Sequence, residues 1–323
     1  MMRSTKIVAT LGPASSEAAV LERMFVAGVD VVRLNFSHGS AEDHFKRAEL
    51  VREVCRKVDR AVGIMADLQG PKIRVGRFHE GKIHLKTGDP FILDAGATMG
   101  DQGRVGLDYK ELPRDVKAGD VLLLDDGRLV LDVMSVAGDR IHTVTRHGGT
   151  LSNNKGINRQ GGGLTAPALT PKDIDDIRHA AKMQVDYVAV SFPKSGADMY
   201  MARELLRAAG GHAMLIAKIE RAEAIPALAD IMQACDGIMV ARGDLAVEVG
   251  DAAVRMSSMS FGVSAGAVRP PPWRLMPLLF DSHPPWRVTV WISAPRTLFT
   301  SSTRRPSSSS STSPDFTSRG SSL

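Results

Sequence analysis

The chain of 323 residues is long enough for a sizeable core and two or three domains, and no run of 18 apolar residues offers a membrane span. Its net charge of +5 is uneven: residues 255–323 hold eight Arg and two Asp, whereas residues 1–254 hold 33 basic and 34 acidic side chains. The basic balance thus belongs to one end, which excludes a nucleic-acid reading built on overall charge.

The opening residues lack the apolar stretch of a secretory signal. Only Cys55 and Cys235 occur, without metal-ligand spacing, so a reduced cytoplasmic protein with two packing thiols is expected.

The first 69 residues alternate strand and helix. Residues 5–10 read as a strand, Ser16 as the cap of a helix to Ala27, and Gly28 as its stop. A second strand follows at 31–34, then a helix from Ala41 to about Lys57 capped by Ser40 with Asp43. The third strand, 61–66, ends at Asp67.

From Gly70 to Pro167 the pattern changes to period-two segments such as Lys82-Ile83-His84-Leu85-Lys86. Asp125-Asp126-Gly127-Arg128 between two apolar runs predicts a hairpin, and no helix is expected here. We read 70–167 as a β domain inserted into a larger one formed by 1–69 and 168–254, with Gly161-Gly162-Gly163 as a hinge near the return.

Strand–helix alternation resumes at Thr170-Pro171-Lys172-Asp173, a helix start with cap, N1 proline and acidic first turn. Strands are expected at 187–191, 214–219 and 238–241, and helices near 197–209 and 222–234.

Residues 255–323 hold all three Trp, nine of the 17 Pro and 17 Ser, but no Lys, Glu, Gln, Asn, Tyr or Cys. Pro270-Pro271-Pro272 and Ser307 to Ser311 break any helical period, so this tail is expected to be disordered, or out-of-frame in origin.

Ordinary strand-to-strand steps are 24–30 residues, and the one long step becomes 28 once residues 70–167 are removed. Equal strand–helix units, with no Gly-x-Gly-x-x-Gly after the first strand, predict an α/β fold of the TIM (β/α)8 type rather than a Rossmann sheet. Six units are recognisable, which leaves the first and sixth strands with open edges.

A barrel works at the C-terminal ends of its strands. Those ends carry Arg33, Asn35 and Ser37; Asp67; Lys218 and Glu220; and Asp244. Solvated loops account for any one of these, but poorly for all, because charges facing a core need a ligand, a metal or each other. Glu220 and Asp244 offer hard oxygen ligands suited to Mg2+. Lys218 lies on the same strand side as Glu220, able to stabilise an enolate or transferring phosphoryl group. Arg33 offers a bidentate phosphate grip.

Five segments carry a resemblance: Val32-Arg33-Leu34-Asn35-Phe36-Ser37-His38-Gly39, Asp67-Leu68-Gln69-Gly70-Pro71-Lys72-Ile73-Arg74, Asn153-Asn154-Lys155-Gly156, Ala217-Lys218-Ile219-Glu220 and Met239-Val240-Ala241-Arg242-Gly243-Asp244-Leu245. Over residues 3–254 the chain resembles bacterial pyruvate kinases. The resemblance implies a TIM barrel interrupted by a β-barrel lid, and phosphoryl transfer from phosphoenolpyruvate to ADP, giving pyruvate and ATP. It implies Mg2+ or Mn2+ on Glu220 and Asp244, with Lys218 at the transferring phosphoryl, Arg33 on phosphate and the Gly243 backbone near the substrate carboxylate. Asn35, Ser37, Asp67 and the Leu68 carbonyl would form a monovalent-cation site for K+. Arg74, Lys155, Asn35 and His38 would contact nucleotide phosphates; from the residues alone His38 reads as a helix-start residue. The family's usual homotetramer is a further implication.

Lys72 stands where potassium-dependent members carry Glu, so its ammonium is expected to make K+ dispensable. Ala246 replaces a Gly at the metal loop. Two family barrel units have no counterpart before the tail, so turnover at least ~1000-fold below that of a full-length relative is expected. The rival readings are a non-catalytic fragment with residual nucleotide or metal binding, and a phosphoenolpyruvate- or pyruvate-type metal-dependent lyase. Arg74 and Lys155 argue against the lyase.

Overall fold

The computed structural model describes residues 6–250 and 288–290. The expected disorder of 255–323 lies outside the described residues, apart from Val288–Val290.

Six strands run parallel across one sheet: β1 (Ile7–Thr10), β2 (Val31–Asn35), β3 (Gly63–Asp67), β14 (Tyr187–Val190), β15 (Met214–Ile219) and β16 (Gly237–Val240). Between β3 and β14, strands β4 to β13 occupy Arg77 to Arg159. Strand β17 (Val288–Val290) lies antiparallel on the outer side of β1, from Ile7↔Val290 to Ala9↔Val288. This corrects the expectation of an open first edge, since the backbone groups of β1 find partners later in the same chain.

Two apolar layers bracket the parallel sheet. One takes a single residue from each strand: Val8, Val31, Met65, Ala189, Ile216 and Met239, with Tyr187 against it. Six strands can share such a layer only if the sheet curls so that these side chains face one another. Their immediate neighbours along the strands, such as Val32, Ile64, Val188 and Ala217, point the other way and pack with Phe25, Val51, Ile177 and Leu206 from the helices.

The helices are placed by local chemistry. Helix α2 (Ala41–Lys57) begins with the expected reciprocal cap, Ser40 with Asp43, and α4 (Pro171–Lys182) repeats it with Thr170 and Asp173. Helix α1 (Ala18–Val26) corrects the sequence reading: the Ser16 hydroxyl donates back to the Gly12 carbonyl, and Glu17 takes the cap position instead. The continuous helix expected over 222–234 is also corrected. It splits into a single turn, Ala222–Ala224, and α6 (Leu228–Ala234), because Pro226 between them has no N–H to continue the ladder.

At the opposite end of the strands, Asp30, Asp186 and Asp236 share one device. Each directly precedes a strand and accepts the backbone N–H of a neighbouring strand: Ile7 at 2.7 Å, Ile64 at 2.7 Å and Leu215 at 2.8 Å.

The insert has its own sheet, ordered β13 (Ile157–Arg159), β9 (Val121–Leu124), β10 (Leu129–Ala137), β11 (Arg140–His147), β6 (Pro90–Asp94) and β8 (Arg104–Gly106), and its own core around Phe91, Leu93, Leu122, Leu124, Leu131 and Ile141. The predicted hairpin joins β9 (Val121–Leu124) to β10 (Leu129–Ala137), with Asp125, Asp126 and Gly127 at φ 50°, 58° and 82°. One short helix, Leu112–Asp115, appears where none was expected. It is a single turn opened by Pro113, too brief to leave a period in the sequence. Among the described residues no helix is long and apolar enough to cross a membrane.

Candidate active site

The site follows from counting by two. Residues two places beyond the inner apolar layer lie on the same strand face, one step nearer the C-terminal ends. They are Thr10 after Val8, Arg33 after Val31, Asp67 after Met65, Ser191 after Ala189 and Lys218 after Ile216. Since all the strands run one way, these polar side chains come up together.

They form a connected chain. Arg33 donates from Nη1 to Thr10 Oγ1 at 2.9 Å and from Nε to Asp67 Oδ2 at 2.5 Å, with Nη2 also against that oxygen. Lys218 Nζ lies 3.2 Å from Asp67 Oδ1, an ion pair without hydrogen-bond geometry, and 2.8 Å from Glu220 Oε1. It also donates to Ser191 Oγ at 2.7 Å, and that hydroxyl donates to the Leu68 carbonyl at 2.7 Å. The second Glu220 oxygen accepts the Phe192 N–H at 3.0 Å. Phe192 holds φ at +56°, a conformation costing about 1–2 kcal/mol for a residue with a side chain, and that turn directs its amide at the carboxylate.

The loop after Asp67 is fixed against this turn. Gly70 has φ +68°, and a Cβ there would lie 2.7 Å from Ser191 Cβ and 2.9 Å from Phe192 Cδ2. Its N–H donates to the buried Asp173 carboxylate at 2.9 Å, so the cap of α4 also anchors the loop.

Burial alone would lower the Lys218 pKa, but the charges of Glu220 and Asp67 outweigh it and hold the ammonium above the ordinary lysine value. Burial pushes the Glu220 carboxyl up; Lys218 opposes that, and the nearby Asp244 charge adds to it. Asp67 and Glu220 thus face Arg33 and Lys218, and the Asp244 charge acts on Glu220 from nearby, three carboxylates to two cations. A divalent cation fits that deficit and would draw Glu220 toward its ionised form. Among the described residues no group of three or more His, Cys, Asp or Glu is placed to hold a metal.

The strand expected over 214–219 is present as β15, with Lys218 inside it. Gly243 and Asp244 follow β16 in the first turn of α7 (Arg242–Val249), with Gly243 exposed.

The remaining candidates lie around this centre. Asn35 pairs with Asp67 in the sheet and accepts the Ser37 N–H at 3.1 Å, while the exposed His38 closes the same turn through its N–H on the Asn35 carbonyl. Lys72 Cε lies 3.5 Å from where a Cβ on Gly156 would be. Arg74 bridges Gly156 and donates to the Asn154 carbonyl at 3.1 Å, and Lys155 pairs with Asp125 at 2.7 Å. Arg74 and Lys155 therefore make these contacts inside the insert, apart from the Lys218 cluster. Thr10, Ser191 and the Phe192 amide were missed by the sequence reading. The same count of two from the apolar layer would have found Thr10 and Ser191.

A family model described as pyruvate kinase, barrel domain, matches residues 2–261. The chain belongs to the pyruvate kinase family. It is 57% identical over 255 residues to pyruvate kinase II of Salmonella typhimurium, covering 77% of this chain and 53% of that protein. Pyruvate kinase of Haemophilus influenzae is 55% identical over 255 residues with the same shares, and that of Mycobacterium tuberculosis 46% over 249 residues, 77% of this chain and 53% of that protein. The chain spans about half the length of the curated pyruvate kinases it matches.

Proposed function

We propose that this chain carries the phosphoryl-transfer centre of a cytoplasmic pyruvate kinase. In that reaction the P–O bond of phosphoenolpyruvate breaks, a new bond forms to the terminal oxygen of ADP, and the enolate takes a proton to give pyruvate beside ATP. The observation that carries the reading is the buried Arg33–Asp67–Lys218–Glu220 network with Asp244 beside it. The Lys218 ammonium meets charge developing on the phosphoryl group and enolate oxygen, and Arg33, oriented by Asp67 and Thr10, grips phosphate. Glu220 and Asp244 would hold Mg2+ or Mn2+, which when bound neutralises phosphate and enolate oxygens as a Lewis acid. The Gly243 N–H, in the first turn of a helix, faces the substrate carboxylate. Arg74 and Lys155, with Asn35 and His38, contact the ADP phosphates as the insert approaches.

Asn35, Ser37, Asp67 and the Leu68 carbonyl are the monovalent-cation site, with Lys72 supplying a positive charge that makes K+ dispensable. Both Asp67 oxygens already face Arg33 or Lys218, and the Leu68 carbonyl accepts from Ser191, which agrees with a weak demand for K+. The finer architecture we propose is an incomplete (β/α)8 barrel of residues 1–69 and 168–254, with 70–167 as a β-barrel lid. The inner layer drawn from six parallel strands and the separate apolar core of the insert support it.

A coupled assay for pyruvate tests the reading. Expected is Mg2+-dependent turnover at least ~1000-fold below a full-length relative, abolished by Lys218→Met and little changed by K+. Pyruvate formation that survives Lys218→Met contradicts it, and strong activation by K+ over Na+ contradicts the role of Lys72.

A further inference from the structure

Glu248 is 6% exposed, sits one helical turn after Asp244 on α7, and has no part in the chemistry above. One carboxylate oxygen accepts the Ala222 N–H at 3.0 Å, two residues beyond Glu220. The other accepts from Asn158 Nδ2 at 3.3 Å, in β13 (Ile157–Arg159), the last strand of the insert. Its backbone carbonyl accepts the Gly161 N–H at 3.1 Å. A single buried side chain therefore touches the helix bearing one acid, the turn following the other, and the segment by which the insert returns.

A second carboxylate reinforces the junction. Glu223 accepts the Gly163 N–H, and a Cβ on Gly162 would lie 2.5 Å from Glu223 Oε2. Gly162 and Gly163 hold φ at +77° and +90°, so glycine is needed there for the backbone. Each N–H of the glycine run is thus paired in this arrangement.

We propose that Glu248 is a positioning residue that sets the spacing of Asp244 and Glu220 and couples that spacing to the seating of the insert. The physical reason is geometric. A shift of helix α7 along its axis, or its rotation, would carry Asp244 away from Glu220. The Ala222 bond opposes that movement, and the Asn158 bond makes it depend on where β13 lies. The inference rests on the proposed metal site, and partners that orient a metal's ligands typically change affinity 10–100-fold when removed.

The test uses the full chain and two readouts: Mn2+ affinity by electron paramagnetic resonance, and hydrogen exchange of peptides covering 157–163 and 221–227 without metal. Glu248→Met keeps the volume and removes both acceptors. Expected is a rise of tenfold or more in the Mn2+ Kd and faster exchange in both peptides. Asn158→Leu cuts only the link to the insert, so exchange rises in 157–163 and Mn2+ affinity falls less. Glu248→Gln still accepts from Ala222 and, once the Asn158 amide turns over, donates to its oxygen, so it retains most of the affinity. A role through charge alone would make Gln as harmful as Met.

Unchanged exchange, a rise in one peptide only after Glu248→Met, or a Gln variant as weak as Met would overturn the proposal. If Glu248→Met does not fold, Asn158→Leu and Glu248→Gln decide it. An unsubstituted chain that binds no Mn2+ sinks the metal reading. Normal binding in the unsubstituted chain and in Glu248→Met alike overturns the role of Glu248 alone.

Discussion

The parallel sheet and the insert each hold a lysine–aspartate pair, but in different ways. In the parallel sheet Lys218 is 9% exposed and answers to two carboxylates as well as Ser191. In the insert Lys155 is 35% exposed and pairs with Asp125. Strand direction explains the convergence around Lys218, whereas Lys155 and Asp125 lie in turns between strands of the insert. Parallel strands bring equivalent positions to one end, so side chains two steps beyond the apolar layer converge. In the insert, Asp94 meets Arg140 across an antiparallel strand pair and Arg104 across a parallel one, and these charges stay as local pairs.

The largest effect is expected from removing the two lysines in turn. Lys218→Met leaves buried Glu220 without its cation and Asp67 with Arg33 alone, and should cost about 3–5 kcal/mol in urea unfolding. Lys155→Met should cost less, about 1 kcal/mol, because the pair is half-open at Lys155 and Asp125 keeps Arg128 at 3.5 Å. Equal losses would erase the contrast between the sheets.

Glycines give a smaller separation. Gly70→Ala brings both a positive φ and a Cβ contact at 2.7 Å, so a loss of about 2–4 kcal/mol is expected. Gly88→Ala in the insert has φ +92° with no atom within 4 Å, and only the backbone term of about 1–2 kcal/mol should appear. Thermal unfolding of the two variants distinguishes them, and similar shifts would show that the Gly70 loop yields easily.

The smallest effect concerns pH. His44 is buried and stacked on Phe36 with ring centroids 4.3 Å apart, and burial holds its pKa below the ordinary histidine value. The unfolded chain then takes up a proton that the folded chain resists. Stability should fall as pH drops through about 6.5, by at most about 1.4 kcal/mol per pH unit, until the folded pKa is reached. His44→Phe should remove that slope from urea unfolding measured between pH 7.5 and 5.5. An unchanged slope would assign it to other groups.

Much of this arrangement was legible in the sequence because short-range signals and the fold agreed. Ser40 with Asp43 and Thr170 with Asp173 marked helix starts correctly, and both reciprocal caps are present. The charged strand ends Arg33, Asp67, Lys218 and Glu220 were readable as a converging group, because strand period and direction fix where they point. Less readable were features set by contacts between distant segments. Ser191 looked like the neutral end of a strand until Lys218 and the Leu68 carbonyl arrived from either side. The break at Pro226 is local chemistry overlooked under a strong helical composition. The pairing of Val288–Val290 on β1 joins segments about 280 residues apart, and no local pattern announces it.

The central claim is that Glu220 and Asp244 jointly hold one divalent cation beside Lys218. Titration of the chain with Mn2+, followed by electron paramagnetic resonance, tests it most directly. The account predicts one bound ion, tightened by phosphoenolpyruvate and lost in both Glu220→Gln and Asp244→Asn. Undiminished binding in either variant would contradict it.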